Sequence, residues 1–194
     1  MAANVYERLG LKRVVNCMGI TTLYGGPLHP DVIAAMAAAA EWRVDLPELL
    51  AAAGRHIAEL VGAPAAYVTS GAAGGLLLST AACVAGTDPA QIVRLPDTTG
   101  MKDEVLIERK HRFNFDHAIR SAGVRLVEVG WSHESTALWE MESQITEHTA
   151  AIAYVAAYEH YASLPLAEVI ALGRRRGVPI ILDAGPSLPP ASNL

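Results

Sequence analysis

The segment Tyr67-Val68-Thr69-Ser70-Gly71-Ala72-Ala73-Gly74-Gly75-Leu76-Leu77-Leu78 turns a β-branched, aromatic run through small residues into an Ala/Leu-rich helical stretch. That order places the backbone N–H groups of Gly71, Ala72 and Ala73 at a helix N-terminus. Their partial positive charge, with the Ser70 hydroxyl beside them, suits a phosphate or a carboxylate. The same residues would also make a tight strand-to-helix turn whose glycines only allow close packing. Asp183 directly follows the apolar run Pro179-Ile180-Ile181-Leu182, where an unpaired carboxylate is costly. It either serves a ligand or caps the next segment through its side chain. His111 either faces a ligand or is satisfied by a backbone carbonyl. His117, six residues on, falls inside an expected helix with no second ligand at metal spacing and is read as structural, so no metal site is expected. Cys17 and Cys83 stand alone, without the spacing of a disulfide framework or a zinc site.

The elements that must position these residues alternate regularly from Ala65 onward. Strands are expected at Ala65–Thr69, Glu104–Glu108, Arg125–Val129, Ala150–Ala156 and Val178–Leu182. Helices are expected near Ala72–Ala85, Phe113–Ala122, Leu138–Thr146 and Pro165–Arg176, with Gly123 and Gly177 as stop signals. This alternation argues an α/β fold, a mostly parallel open sheet with helices on both faces. Ahead of it, an arm and two helices near Asp31–Glu41 and Pro47–Val61 make an N-terminal part, residues 1–62, before a large domain from 63 to 194. In open α/β sheets ligands collect outside the carboxyl ends of the strands. Those ends are Ser70-Gly71-Ala72, Lys110-His111-Arg112, Trp131-Ser132-His133, Tyr158-Glu159-His160 and Asp183-Ala184-Gly185.

Two nucleotide-binding loops are excluded by residue: Gly71-x-x-Gly74-Gly75 is not G-x-G-x-x-G, and no G-K-[ST] occurs. The 194 residues are 52% hydrophobic and 18% charged, a globular composition, and their net charge of −5 offers no basic field for DNA. The cluster Arg174-Arg175-Arg176 is read as the basic last turn of a helix. Glu7, Arg8, Lys12 and Arg13 interrupt the N-terminal stretch, and no apolar run reaches membrane-span length. A cytoplasmic protein without a membrane partner is expected.

Taken in order, these residues resemble the pyridoxal-phosphate enzymes of the aspartate-aminotransferase fold, fold type I. The nearest likeness is to the selenocysteine-synthase-like group that includes D-glucosaminate-6-phosphate ammonia-lyases. The likeness rests on Tyr6-Glu7-Arg8-Leu9-Gly10, Val15-Asn16, Gly25-Gly26, Tyr67 through Ala73 and Leu95-Pro96-Asp97-Thr98-Thr99-Gly100-Met101-Lys102. It continues through His111-Arg112, Phe115-Asp116-His117-Ala118, Leu126-Val127-Glu128-Val129-Gly130 and Pro179 through Ala184. The resemblance implies pyridoxal 5'-phosphate as cofactor. Ser70, Gly71 and Ala72 would hold its phosphate, His111 would stack on its ring, and Asp183 would pair with the ring nitrogen, which keeps the ring an electron sink. His111 and Asp183 are then the catalytic candidates. The chain departs from the group at Asn16-Cys17-Met18-Gly19, at Lys110, where glycine is common, and at Gly185-Pro186.

The group's Schiff-base lysine lies downstream of the aspartate, whereas the lysines here are Lys12, Lys102 and Lys110. On that comparison the chain reads as an incomplete large domain, cut before the lysine loop and the C-terminal small domain. Ala65–Thr69 would lose the neighbour it has in the family, so a four-stranded sheet with one poorly anchored strand is expected. The function implied is a lyase or transferase acting by α,β-elimination or β-replacement on a small amino acid or amino sugar acid, inactive alone and homo-oligomeric in its complete form. The alternative is a non-catalytic fragment that binds the cofactor weakly or serves as an interaction subunit. The lack of basic surface speaks against tRNA as substrate.

Overall fold

The computed structural model describes residues 4–17, 25–158 and 163–185. Contacts divide the chain into two compact units, Met1–Leu49 and Leu50–Leu194. In the first, helix α1 (Val5–Arg8) is closed by a capping box between Asn4 and Glu7. Helix α2 (Pro30–Ala39) opens with proline at its first position behind His29, whose Nδ1 accepts the Asp31 N–H at 3.3 Å. Neither helix buries a residue. Helix α3 (Leu46–Val61) follows and runs into the second unit.

The second unit is built on a sheet whose four strands are β1 (Glu104–Glu108), β2 (Arg125–Val129), β3 (Thr149–Val155) and β4 (Ile180–Asp183). All pairings are parallel, in the order β2-β1-β3-β4. Parallel neighbours need crossovers, and helices supply them: α4 (Ala72–Ala85) and α5 (Pro89–Arg94) ahead of β1, then α6 (Asp116–Arg120), α7 (Leu138–Ser143) and α8 (Leu166–Arg176) between strands. Val105, Ile107, Ala151 and Ala153 point to one face and pack with Leu76 and Val84 of α4 and Ile119 of α6. Leu106, Ile152 and Tyr154 point to the other, against Met141 of α7 and Val169 and Leu172 of α8. Burial on both faces explains why β1 and β3 read as continuous apolar runs.

Most expected elements stand near their expected bounds, and three differ. Ala65–Thr69 is not a strand: it belongs to no ladder of the sheet, because none of the four strands lies beside it. A β-rich composition does not make a strand without a pairing partner. The helix expected over Phe113–Ala122 contracts to Asp116–Arg120, because Phe113 packs against the core beneath α4 and α6. The helix expected to reach Thr146 ends at Ser143, and the Thr146 N–H is held instead by Thr149 Oγ1 at 3.0 Å. Helix α8 ends as expected, with Gly177 left-handed at φ +66. No helix among the described residues is long and apolar enough to cross a membrane.

Candidate functional site

The turn into α4 is tied by Thr69, whose hydroxyl donates to the Gly71 carbonyl at 2.9 Å. Gly71 takes φ +132 and ψ 179, a conformation reserved in practice for glycine, and no side chain caps the helix it opens. The first N–H groups of α4 therefore have no side-chain cap, while the Gly71 N–H just before them contacts Thr69 Oγ1 at 3.4 Å. Ser70, Gly71 and Ala72 are all exposed.

Asp183 ends β4 beside this helix. Its Oδ1 accepts the Gly185 N–H at 3.0 Å, which is the capping habit the sequence allows, and its other carboxylate oxygen is outside that bond. A cavity of about 420 Å³ is lined by Ala72, Gly75 and Cys83 of α4 and by Leu182, Asp183 and Ala184. The helix N-terminus and the carboxylate thus share one space. Burial pushes the Cys83 thiol above its usual value, so at neutral pH it stands protonated there and is no nucleophile.

His111 closes the short 3-10 turn Arg109–His111 that follows β1, and it is fully buried. It does not line the cavity described above. Its ring meets Tyr154 edge-on, with centroids 4.4 Å apart. The Val155 N–H donates to Nδ1 at 3.3 Å, and Nε2 lies 2.9 Å from Ser163 Oγ. On the outer side, Arg109 Nε donates to Glu128 of β2 at 3.0 Å, and Arg112 pairs with both Glu128 and the buried Asp116. The turn that carries His111 is thereby anchored on both flanks. The β1 and β3 ends are also where the strand order reverses, the place where open α/β sheets form a ligand crevice.

The strand ends contribute unequally. Trp131, Ser132 and His133 stand exposed, apart from both His111 and the cavity. Tyr158 closes the 3-10 turn Ala156–Tyr158, and Glu159 and His160 lie outside the described residues. His117 contacts the Asn114 carbonyl through Nδ1, the structural place expected of it. A reading of strand ends passes over Glu108, the last residue of β1. It is 1% exposed, and its Oε1 accepts the Leu164 N–H at 2.8 Å. Burial raises its pKa. An acidic residue ending an apolar run was the available signal, the same one that drew attention to Asp183.

These features fit pyridoxal phosphate on grounds of geometry and chemistry. An uncapped helix N-terminus suits its phosphate, and a carboxylate across the same cavity suits its ring nitrogen.

The chain is 35% identical over 191 residues to the D-glucosaminate-6-phosphate ammonia lyase of Salmonella typhimurium, a match covering 95% of this chain and 52% of that protein. It is 39% identical over 188 residues to a 5'-C-glycyluridine monooxygenase-decarboxylase of a Streptomyces species, covering 92% of this chain and 47% of that one. A solved structure of D-glucosaminate-6-phosphate ammonia-lyase superposes with a TM-score of 0.86 at 34% identity, over 94% of this chain and 51% of that chain. Alanine aminotransferase from Pyrococcus furiosus superposes with a TM-score of 0.54 at 18% identity, over 91% of this chain and 46% of its own, a likeness of fold alone. No family model matches the chain. The chain spans about half the length of the curated relatives it matches.

Proposed function

We infer that this chain, which belongs with the D-glucosaminate-6-phosphate ammonia lyase-like members of the fold type I pyridoxal-phosphate enzymes, holds pyridoxal phosphate for lyase or transferase chemistry on a small amino acid or amino sugar acid. The observation that carries the reading is the single cavity joining the uncapped start of α4 to the carboxylate of Asp183. Ser70, Gly71 and Ala72 hold the phosphate through backbone N–H groups and one hydroxyl. Asp183 holds a proton on the ring nitrogen by hydrogen bond and charge. His111, one strand away, is fully buried and outside this cavity, and its stacking on the ring is supported by the family resemblance alone. When bound, the cofactor supplies an electron sink for bonds broken at the substrate α-carbon. The reaction proposed is elimination across the α and β carbons, the class of the ammonia lyase that superposes at a TM-score of 0.86.

A non-covalent mode of holding is favoured within these residues. Neither Lys102 nor Lys110 lines the cavity that contains Asp183. The chain is also read as homo-oligomeric, since α2 buries nothing and leaves Val32, Ile33 and Met36 exposed.

Titrating pyridoxal phosphate into the full chain, followed by its absorbance and by protein fluorescence, tests the reading. Saturable one-to-one binding is expected, and borohydride reduction followed by mass spectrometry should leave no stoichiometric lysine adduct. Absence of saturable binding would overturn the reading. A full adduct on Lys110 would move the attachment point to a residue not assigned here.

A further inference from the structure

Three groups beneath the site form a directional chain. Val155 donates a backbone N–H to Nδ1 of His111, and a backbone N–H cannot reverse its role. Nδ1 is therefore the acceptor, and the ring's own proton belongs on Nε2, which donates to Ser163 Oγ at 2.9 Å. With its oxygen accepting from the ring, the Ser163 hydroxyl keeps its own proton. The next residue fixes the segment: Glu108 Oε1 accepts the Leu164 N–H at 2.8 Å, and the Leu164 carbonyl accepts the Tyr154 hydroxyl at 2.8 Å. Tyr154 in turn packs edge-on against the same imidazole. Ser163, from the segment that precedes α8, and Tyr154, from β3, thus converge on His111, and Glu108 of β1 holds that segment through the Leu164 N–H.

A carboxylate buried to 1% exposure at the end of an apolar strand is expensive unless its bonds fix something. We propose that Glu108 and Ser163 are positioning residues: Glu108 anchors the Ser163-Leu164 segment through the Leu164 N–H, and Ser163 receives the Nε2 proton of His111 and holds the imidazole plane. In an active site a histidine has two tautomers and a rotatable ring, and the partner on one nitrogen decides what the other can do. Here both nitrogens are engaged, so the ring is fixed as a surface and is withheld from proton transfer. Its consequence for binding rests on the reading of His111 as the residue facing the cofactor ring; the arrangement of His111 itself does not.

Nuclear magnetic resonance of the ¹⁵N-histidine-labelled full chain, without cofactor, tests the arrangement. The wild type should show neutral His111 protonated on Nε2, with that proton protected from exchange. Ser163→Ala should accelerate its exchange at least tenfold, Ser163→Thr should preserve protection, and Glu108→Gln should accelerate it several-fold, because the amide replaces one acceptor oxygen with a donor in the buried space that anchors the Leu164 N–H. A proton on Nδ1 in the wild type would overturn the proposal even if every variant failed to fold. Unchanged protection in folded Ser163→Ala would overturn it as well, and unchanged protection in Glu108→Gln would remove Glu108 from it. A second arm measures pyridoxal phosphate affinity, expected to fall at least fivefold in Ser163→Ala and to recover in Ser163→Thr. If the resonance results hold while affinity stays unchanged, the cofactor-facing role of His111 fails and the positioning chain stands.

Discussion

His111 and Asp183 stand on opposite sides of one residue, Val155. In the parallel register Val155 is the partner of Asp183, and its N–H donates to Nδ1 of His111 at 3.3 Å. Seventy-two positions separate the two side chains in sequence, yet the last residue of β3 links them across the sheet. The arrangement follows from topology. Because β1 and β3 are neighbours while β2 lies outside, the turns after β1 and β4 flank the end of β3.

Asp183→Asn separates the charge of this carboxylate from its role in the turn. The amide oxygen can still accept the Gly185 N–H, so unfolding free energy should stay within about 0.5 kcal/mol of wild type. Affinity for pyridoxal phosphate should fall about tenfold, about 1.4 kcal/mol, the scale of a lost charge-assisted hydrogen bond. A fluorescence titration showing equal affinity would remove Asp183 from the site.

Gly71→Ala tests the turn into α4. A Cβ there would meet nothing within 4 Å, so any cost comes from the backbone at φ +132 and not from crowding. That conformation costs a non-glycine residue about 1–3 kcal/mol. Urea unfolding should show a loss of that order, with weaker binding of inorganic phosphate. Wild-type stability would mean that the turn is not held in this conformation.

The sheet was legible in the sequence because its central strands β1 and β3 are buried along their whole length. Glu104–Glu108 and Arg125–Val129 have the expected bounds, and α4 begins and ends where Gly71 and Gly86 punctuate it. Asp183 and Ala72 were found by where they stand relative to a strand and a helix, which is local information. For Ala65–Thr69 the expected loss of its neighbour and the four-stranded sheet hold, and the segment goes further than poor anchoring by forming no strand, because pairing is a property of the neighbour and not of the segment. Ser163 was missed because its contact with His111 crosses 52 positions; Glu108 carried the local signal of an acidic residue ending an apolar run, but its bond to Leu164, 56 positions away, did not show in the sequence.

Glu108 gives stability a pH dependence of definite sign. Burial holds its folded pKa above the ordinary glutamate value, with Lys110 and the bonds from Leu164 and Ser163 opposing the shift and Glu140 adding to it. Between the unfolded and folded values the native state binds more protons than the unfolded chain, so stability falls as pH rises through that window. Glu108→Gln removes this titration. The stability of the wild type relative to Glu108→Gln should therefore decline from about pH 4.5 upward, the ordinary glutamate value, until the folded group is ionised. Urea titrations at several pH values measure it, and a relative stability that climbs with pH would contradict the burial of this carboxylate.

Ala65–Thr69 leads directly into the turn at Ser70 and Gly71 without a ladder to hold it. Its backbone approaches α3 closely: a Cβ added at Gly54 would lie 2.3 Å from the Ala66 carbonyl oxygen. Van der Waals approach does not protect amide hydrogens from exchange as a ladder does. In the full chain the amides of Ala65–Thr69 should exchange at least a hundredfold faster than those of β1 and β3, whose residues are all buried. Gly54→Leu should push the segment away and weaken phosphate binding at Ser70–Ala72, while leaving exchange in β1 and β3 unchanged. Protection in Ala65–Thr69 equal to that of β3 would show that the segment has found a strand neighbour in solution, and the unpaired entry to the turn would have to be abandoned.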